Sequence, residues 1–190
     1  MAVNIGVIAE ELNDIEVLYE FTCKLIPESS FSFSKFIGHG CGKLRRKCNA
    51  WTKNLIQRGC SHIVIIHDLD ENDESTLRKE LENNIIERIS TYSLILIPIF
   101  EIEAWLLTDP LALKQSFNMK KTPKIKHHPE TIRNPKEYLR NIVFKYSQKQ
   151  YINTIHNRQI ASNIRIDRVS SCSSFISYPG FVTNYISPIY

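Results

Sequence analysis

Residues 62–70 read His62-Ile63-Val64-Ile65-Ile66-His67-Asp68-Leu69-Asp70. Ile63 to Ile66 are four consecutive β-branched residues with nothing polar among them. Such a run makes a strand buried on both faces, as in the interior of a parallel sheet. Residues 3–9 (VNIGVIA) form a similar run, almost unbroken, that stops at Glu10-Glu11. Residues 31–37 alternate Phe31 and Phe33 with serine and read as a further strand. Residues 94–100 read as a fourth, running into Glu101-Ile102-Glu103.

Between these runs lie helical patterns. Residues 14–25 place Ile15, Leu18, Tyr19 and Leu25 among charges, with Asn13 or Asp14 as a natural N-cap and Pro27 as the stop. Residues 43–58 follow a loop with Gly38, Gly40 and Gly42 and end at Gly59, a favourable C-cap. Residues 74–90 carry Leu77, Leu81, Ile85 and Ile89 at four-residue steps. Residues 101–107 begin a short helix that Asp109-Pro110 stops. Strands alternating with helices imply βαβ units, hence an α/β fold with a mostly parallel sheet flanked by helices. Residues 138–146 and 152–160 look helical, and Pro123, Pro129, Pro135 and Pro179 mark turns. The chain thus divides into an α/β core over 1–110 and a mainly helical C-terminal extension over 111–190, packed on the core.

The 190 residues suit one domain, with or without a small appendage. The apolar share of 43% and charged share of 23% exclude general disorder and collagen-like repeats. No apolar run approaches the roughly 18 to 20 residues of a membrane-spanning helix, and the N-terminus shows no signal peptide. The five cysteines are odd in number, widely spaced and without a C-x-x-C pair. They read as reduced thiols in a cytoplasmic protein, without a zinc site and without a membrane partner.

The net charge of +4 hides a division. Residues 1–110 hold 11 Lys+Arg against 17 Asp+Glu, a net −6; residues 111–190 hold 13 against 3, a net +10. A basic half beside an acidic half suits a polyanion held by one and a cation held by the other, although a solvated basic surface that keeps the chain soluble gives the same composition.

Ligands of open α/β sheets bind beyond the carboxyl ends of the strands. Three of the expected strands end there in acid: at Glu10-Glu11, at Asp68-x-Asp70 and at Glu101-x-Glu103. Two residues apart in an extended segment, Asp68 and Asp70 can aim at one point. Several carboxylates at one edge repel unless a cation sits among them, and Mg²⁺ or Mn²⁺ is the hard, oxygen-seeking candidate. Asp73 and Glu74 fit helix-capping charges instead.

The glycine loop Gly38-His39-Gly40-Cys41-Gly42-Lys43-Leu44 is neither of the common nucleotide motifs. A Walker A loop needs Gly five positions before Gly42, where Ile37 stands, and a hydroxyl where Leu44 stands; Lys43 occupies the place of the last Gly of the dinucleotide fingerprint. Its amides with Lys43, Arg45, Arg46 and Lys47 at a helix N-terminus could still hold a backbone phosphate. No Ser lies in a G-x-S-x-G elbow. His67 fits a structural histidine, His127-His128 an exposed pair and Trp105 a core residue.

Taken together, Ile5 to Asp14 (a strand, then Glu10, then an acid four residues on) and Ile63 to Asp70 (a strand ending in Asp-x-Asp) resemble the TOPRIM pattern. That family is named from topoisomerases and primases and includes OLD-type nucleases. The wider chain resembles a small bacterial TOPRIM-like family whose members are often encoded beside an ATPase in defence-type gene clusters. The further matches are Gly40 to Leu44, Glu101 to Asp109 (EIEAWLLTD) and Asn134 to Leu139. The pattern usually has Gly after its first Glu, where this chain has Glu11.

The resemblance implies a metal-dependent nuclease that cleaves phosphodiester bonds, as the effector of an anti-phage defence or toxin system. Glu10, Asp68 and Asp70 would be catalytic and bind Mg²⁺ or Mn²⁺, with Glu10 also acting in acid–base chemistry. Glu101 or Glu103 would complete a second metal position or steady the first. Lys120, Lys121, Lys124, Lys126, Arg133, Lys136 and Arg140 of the basic half would follow a DNA or RNA backbone, as Lys43, Arg45 and Arg46 could at the glycine loop. Tyr138, Tyr146 and Tyr151 could stack bases or pack. A partner ATPase is implied, and monomer and homodimer are both open. The rival is a nucleic-acid-binding or ATPase-associated adaptor subunit with a degraded metal site.

Overall fold

The computed structural model describes residues 2–83 and 92–186. Four parallel strands form one sheet in the order β2-β1-β3-β4: β1 is Val3–Ala9, β2 Phe31–Ile37, β3 His62–Ile66 and β4 Tyr92–Leu96. The helices are α1 (Leu12–Leu25), α2 (Cys41–Gln57), α3 (Glu74–Asn83), α4 (Glu103–Leu106), α5 (Pro110–Phe117), α6 (Pro135–Ser147), α7 (Asn153–Asn163), α8 (Ile166–Val169) and α9 (Ser177–Phe181). The chain is therefore α/β, with an all-parallel sheet flanked by helices, as the alternating apolar runs require.

The two central strands are apolar because both of their faces are covered. Ile5, Val7 and Ala9 alternate with Ile8, and Val64 and Ile66 with Ile63 and Ile65. The first set packs with Phe21 of α1, Trp105 and the apolar faces of α5, α6, α7 and α9. The second set packs with Leu44, Cys48 and Leu55 of α2 and Leu77 and Leu81 of α3. Gly6 lies on the α2 side, where a Cβ would stand 2.7 Å from Ile63 Cδ1 and 2.9 Å from Leu55 Cδ1. Glycine is what allows α2 this close to the sheet. Residues 111–186 thus share the core on one face of the sheet, with Leu139, Val143, Ile160, Phe175 and Val182 fully buried in it.

Local chemistry sets the element ends. Glu11, extended at φ −126°, is the N-cap of α1, and its N–H donates to Asp14 Oδ2 at 2.9 Å. The helix so begins two residues before the expected 14, and Asp14 is its third residue rather than its cap. After α2, the Gly59 N–H reaches the Ile56 carbonyl at 2.8 Å and the Cys60 N–H that of Leu55 at 3.1 Å. With Gly59 at φ +83°, these bonds make a Schellman cap. Asp73 caps α3, accepting from the Thr76 N–H, and its exposed carboxyl is held down at about 2 by the hydroxyls of Ser75 and Thr76.

Two further expectations change, and a third is met only as far as the described residues reach. The regular fourth strand spans 92–96 rather than 94–100, because Pro98 cannot donate to a ladder. Asp109-Pro110 starts a helix instead of stopping one: Asp109 Oδ1 accepts from Leu111 N–H (3.0 Å) and Ala112 N–H (3.3 Å), with Pro110 in the first turn of α5. The expected 74–90 helix is described to Asn83, so Ile85 and Ile89 lie outside the described residues. All five cysteines are free thiols. No helix among the described residues is long and apolar enough to cross a membrane.

Candidate metal centre

Because the strands are parallel, their carboxyl ends share one edge, and Glu10, His67 and the segment after Leu96 leave the sheet there. The chain beyond β3 stays zipped to the chain beyond β4. The N–H groups of His67, Leu69 and Asp70 donate to the carbonyls of Leu96 (3.1 Å), Pro98 (2.9 Å) and Phe100 (3.0 Å). Asp70 and Phe100 both adopt left-handed backbone, at φ +50° and +63°. The extended run therefore breaks at Asp70, and the two aspartates do not project to the same side as in a strand. Asp68 turns inward, half-buried, where its Oδ1 accepts the Ile102 N–H at 3.0 Å; Asp70 is exposed.

Seven carboxylates still sense one another at this edge: Glu10, Glu11, Asp14, Asp68, Asp70, Glu101 and Glu103. Burial and then the charge of Asp70 push Glu10 up to about 7. Burial, with the charges of Glu103, Glu11 and Glu10, pushes Asp14 up to about 8, against the Glu11 N–H that lowers it. Asp68 is raised well above the usual range by burial and by Asp14, Glu103, Glu10 and Asp70. Burial also raises Glu101, against the Lys136 N–H that lowers it. Carboxyl groups that raise one another are short of positive charge.

The helical extension supplies the donors that hold these acids. Lys136 N–H, in the first turn of α6, donates to Glu101 Oε2 at 2.8 Å, so Glu101 caps that helix from the segment that precedes α4. Glu103, 2% exposed, accepts at Oε1 from Tyr151 Oη–H (3.0 Å) and Asn157 Nδ2–H (3.2 Å), themselves 3% and 0% exposed. Burial and the Glu103 charge push the Tyr151 phenol up. Asn153 Nδ2–H donates to Glu11 Oε2 at 3.1 Å. Glu11 thus faces the extension, and its extended φ of −126° places no demand for glycine at that position.

His67 lies within the edge, fully buried. Its Nδ1 stands 2.6 Å from the Asp68 carbonyl oxygen and 3.1 Å from Glu10 Oε1, and its Nε2 receives Arg45 Nε–H at 3.1 Å. Burial lowers its proton affinity. Glu10 Oε1 is buried and has no hydrogen bond.

Among the described residues, no three His, Cys, Asp or Glu side chains stand close enough together to hold a metal ion as they are. The donor chemistry nevertheless suits a hard divalent cation: all-oxygen carboxylates, mutual repulsion, and a buried oxygen on Glu10 that accepts no hydrogen bond.

The cations read from the sequence spread more widely. Lys43 and Arg46 are exposed at the start of α2, whereas Arg45 is half-buried and directed at His67 and Glu80. Lys120, Lys121, Lys124 and Lys126 are exposed along the segment after α5. Arg133 pairs with Glu71 at 3.0 Å, beside Asp70, and Lys136 is half-buried next to Glu101. Tyr138 and Tyr146 are half-buried, and Tyr151 is turned inward to Glu103. Sequence reasoning assigned no role at this edge to Tyr151's hydroxyl or Asn157, or to Asp14 beyond its place in the motif. Tyr151 and Asn157 lie 48 and 54 residues from Glu103, with no local pattern to link them.

Neither a curated protein nor a solved structure matches the chain. Residues 16–178 match a family described as a domain of unknown function, DUF4276, and the chain belongs to that family.

Proposed function

We propose that the chain is a metal-dependent nuclease of TOPRIM type, with Glu10, Asp68 and Asp70 as the residues that hold Mg²⁺ or Mn²⁺. The observation that carries this reading is the gathering of Glu10, Asp14, Asp68, Asp70, Glu101 and Glu103 at the carboxyl edge of a parallel sheet, where burial and mutual charge raise Glu10, Asp14, Asp68 and Glu101. A bound divalent ion supplies charge to offset the phosphate and a water of lowered pKa. Glu10, poised at about 7, is suited to take or return a proton near neutrality. Asp70, exposed and on left-handed backbone, is the acid most open to an incoming ligand. Glu103 and Glu101, already held by Tyr151, Asn157 and Lys136, keep the negative field fixed behind it. The exposed lysines from Lys120 to Lys126, with Lys43 and Arg46, would bind a nucleic-acid backbone. Within the same reading, the protein acts in anti-phage defence or as a toxin, in the cytoplasm, with a partner ATPase.

One observation favours a second reading, an adaptor that binds nucleic acid or an ATPase with a degraded metal site. Asp68, Glu101 and Glu103 each already accept a hydrogen bond from within the chain. Cleavage of plasmid, single-stranded DNA and tRNA with Mg²⁺, Mn²⁺ or EDTA separates the two. The nuclease reading expects metal-dependent cutting that Glu10→Ala and Asp68→Ala abolish. Salt-sensitive binding without cutting under any metal supports the adaptor.

A further inference from the structure

His67 is a fully buried imidazole set among the acids of this edge, and the proposed function gives it no role. Its two nitrogens face different chemistry. Arg45 Nε carries a hydrogen that it can only donate, so His67 Nε2, 3.1 Å away, must accept. The ring hydrogen is then on Nδ1, which meets the Asp68 carbonyl oxygen at 2.6 Å. The opposite tautomer would set an N–H against the Arg45 N–H and a lone pair against that carbonyl. Arg45 is in turn tied to Glu80, its Nη1 lying 3.5 Å from Glu80 Oε2. With the Nδ1 hydrogen directed at Asp68, Glu10 Oε1 stands 3.1 Å from the same nitrogen and keeps no hydrogen bond.

We infer that His67 is a positioning residue of the acidic edge: locked by Arg45 as the Nδ1–H tautomer, it anchors the Asp68 main chain and leaves the buried Glu10 Oε1 without a hydrogen bond, uncommitted until a cation binds. The cation in this statement rests on the metal reading above; the tautomer and the anchoring do not. The chemistry is that of ligand sets held by outer hydrogen bonds, whose loss commonly weakens metal affinity by about 10- to 100-fold. An asparagine at this position can set its amide N–H where Nδ1 stands, whereas a glutamine reaches toward the place of Nε2.

Two measurements test it. Long-range nitrogen–proton correlation spectra of ¹⁵N-histidine protein near neutral pH, with the His67 signals identified by their loss in His67→Gln, read the tautomer without any metal. The expected pattern has hydrogen on Nδ1 and a bare Nε2; hydrogen on Nε2, or on both nitrogens, overturns the inference. Calorimetric Mn²⁺ affinity is then compared among wild type, His67→Asn, His67→Gln and the half-buried Arg45→Leu, each checked for native circular dichroism. His67→Gln is expected to bind about 10-fold more weakly or worse and His67→Asn close to wild type, with Arg45→Leu between them. Equal affinity in all four overturns the positioning role. Should wild type bind no Mn²⁺, the metal reading fails, and the tautomer alone decides for or against the anchoring.

Discussion

The 1–110 half and the 111–186 half share a core on one face of the sheet, and they hold charge in opposite ways. The first gathers its acids at the carboxyl edge of the sheet, partly out of water. The second spreads its cations over exposed segments such as Lys120 to Lys126. Where the halves touch at that edge, several of the closest links use neutral donors: the Lys136 N–H, the Tyr151 hydroxyl and the amides of Asn153 and Asn157. Neutral donors satisfy a carboxylate without cancelling its charge. The Arg133–Glu71 pair is exposed, where such a pair contributes about 0–1 kcal/mol. The comparison teaches that the basic half braces the acidic edge through neutral donors and adds little positive charge to it; in the proposed metal reading, that charge is left for a cation from outside the chain to supply.

The largest expected effect breaks the edge itself. Asp68→Asn keeps the acceptor for the Ile102 N–H but removes one charge. Metal-dependent cleavage should fall by about 100- to 1000-fold, with circular dichroism unchanged. Next comes pH. Glu10 and Asp14 bind protons more tightly folded than unfolded, rising from 4.5 to about 7 and from 3.8 to about 8. Their contribution to stability is therefore full below about pH 4, declines as pH rises toward 8, and is flat above. Each tenfold gain in proton affinity on folding is worth about 1.4 kcal/mol. Thermal unfolding in EDTA should show a Tm that falls across this window, and Mn²⁺ should flatten the fall.

The link between halves is tested by Tyr151→Phe, which strips a donor from buried Glu103. A cost of about 1–3 kcal/mol in urea unfolding is expected. Replacing Lys120, Lys121, Lys124 and Lys126 with alanine should leave stability alone and weaken nucleic-acid binding across sequences. The slope of log affinity against log salt should become shallower by about 0.7–0.9 for every phosphate that the variant leaves unneutralised. Smallest is Glu11→Gly. Glu11 sits in extended backbone at the N-cap of α1, where glycine itself costs only a few tenths, and the variant also loses the exposed hydrogen bond from Asn153, so a cost of about 0.5–1 kcal/mol is expected with cleavage intact.

Much of the fold is legible in the residues, and less of the site. The apolar runs of β1 and β3 and the acids that end them mark a parallel sheet and its ligand edge, because burial on both faces leaves no alternative composition. Asp109-Pro110 is harder to read, since a dipeptide that commonly stops a helix here caps α5, after α4 has already ended at Leu106. The inward turn of Asp68 depends on Asp70 and Phe100 entering left-handed backbone, for which neither residue type gives a strong signal. His67 looks like any histidine at a strand end; its role depends on Arg45, 22 residues away on α2.

The central claim is that this edge holds a divalent cation, and calorimetric titration with Mn²⁺ near neutral pH tests it most directly. Wild type should bind in a saturable step that Asp68→Asn and Glu10→Gln each abolish while the fold persists. No binding by wild type, or binding that both substitutions leave unchanged, would contradict the account.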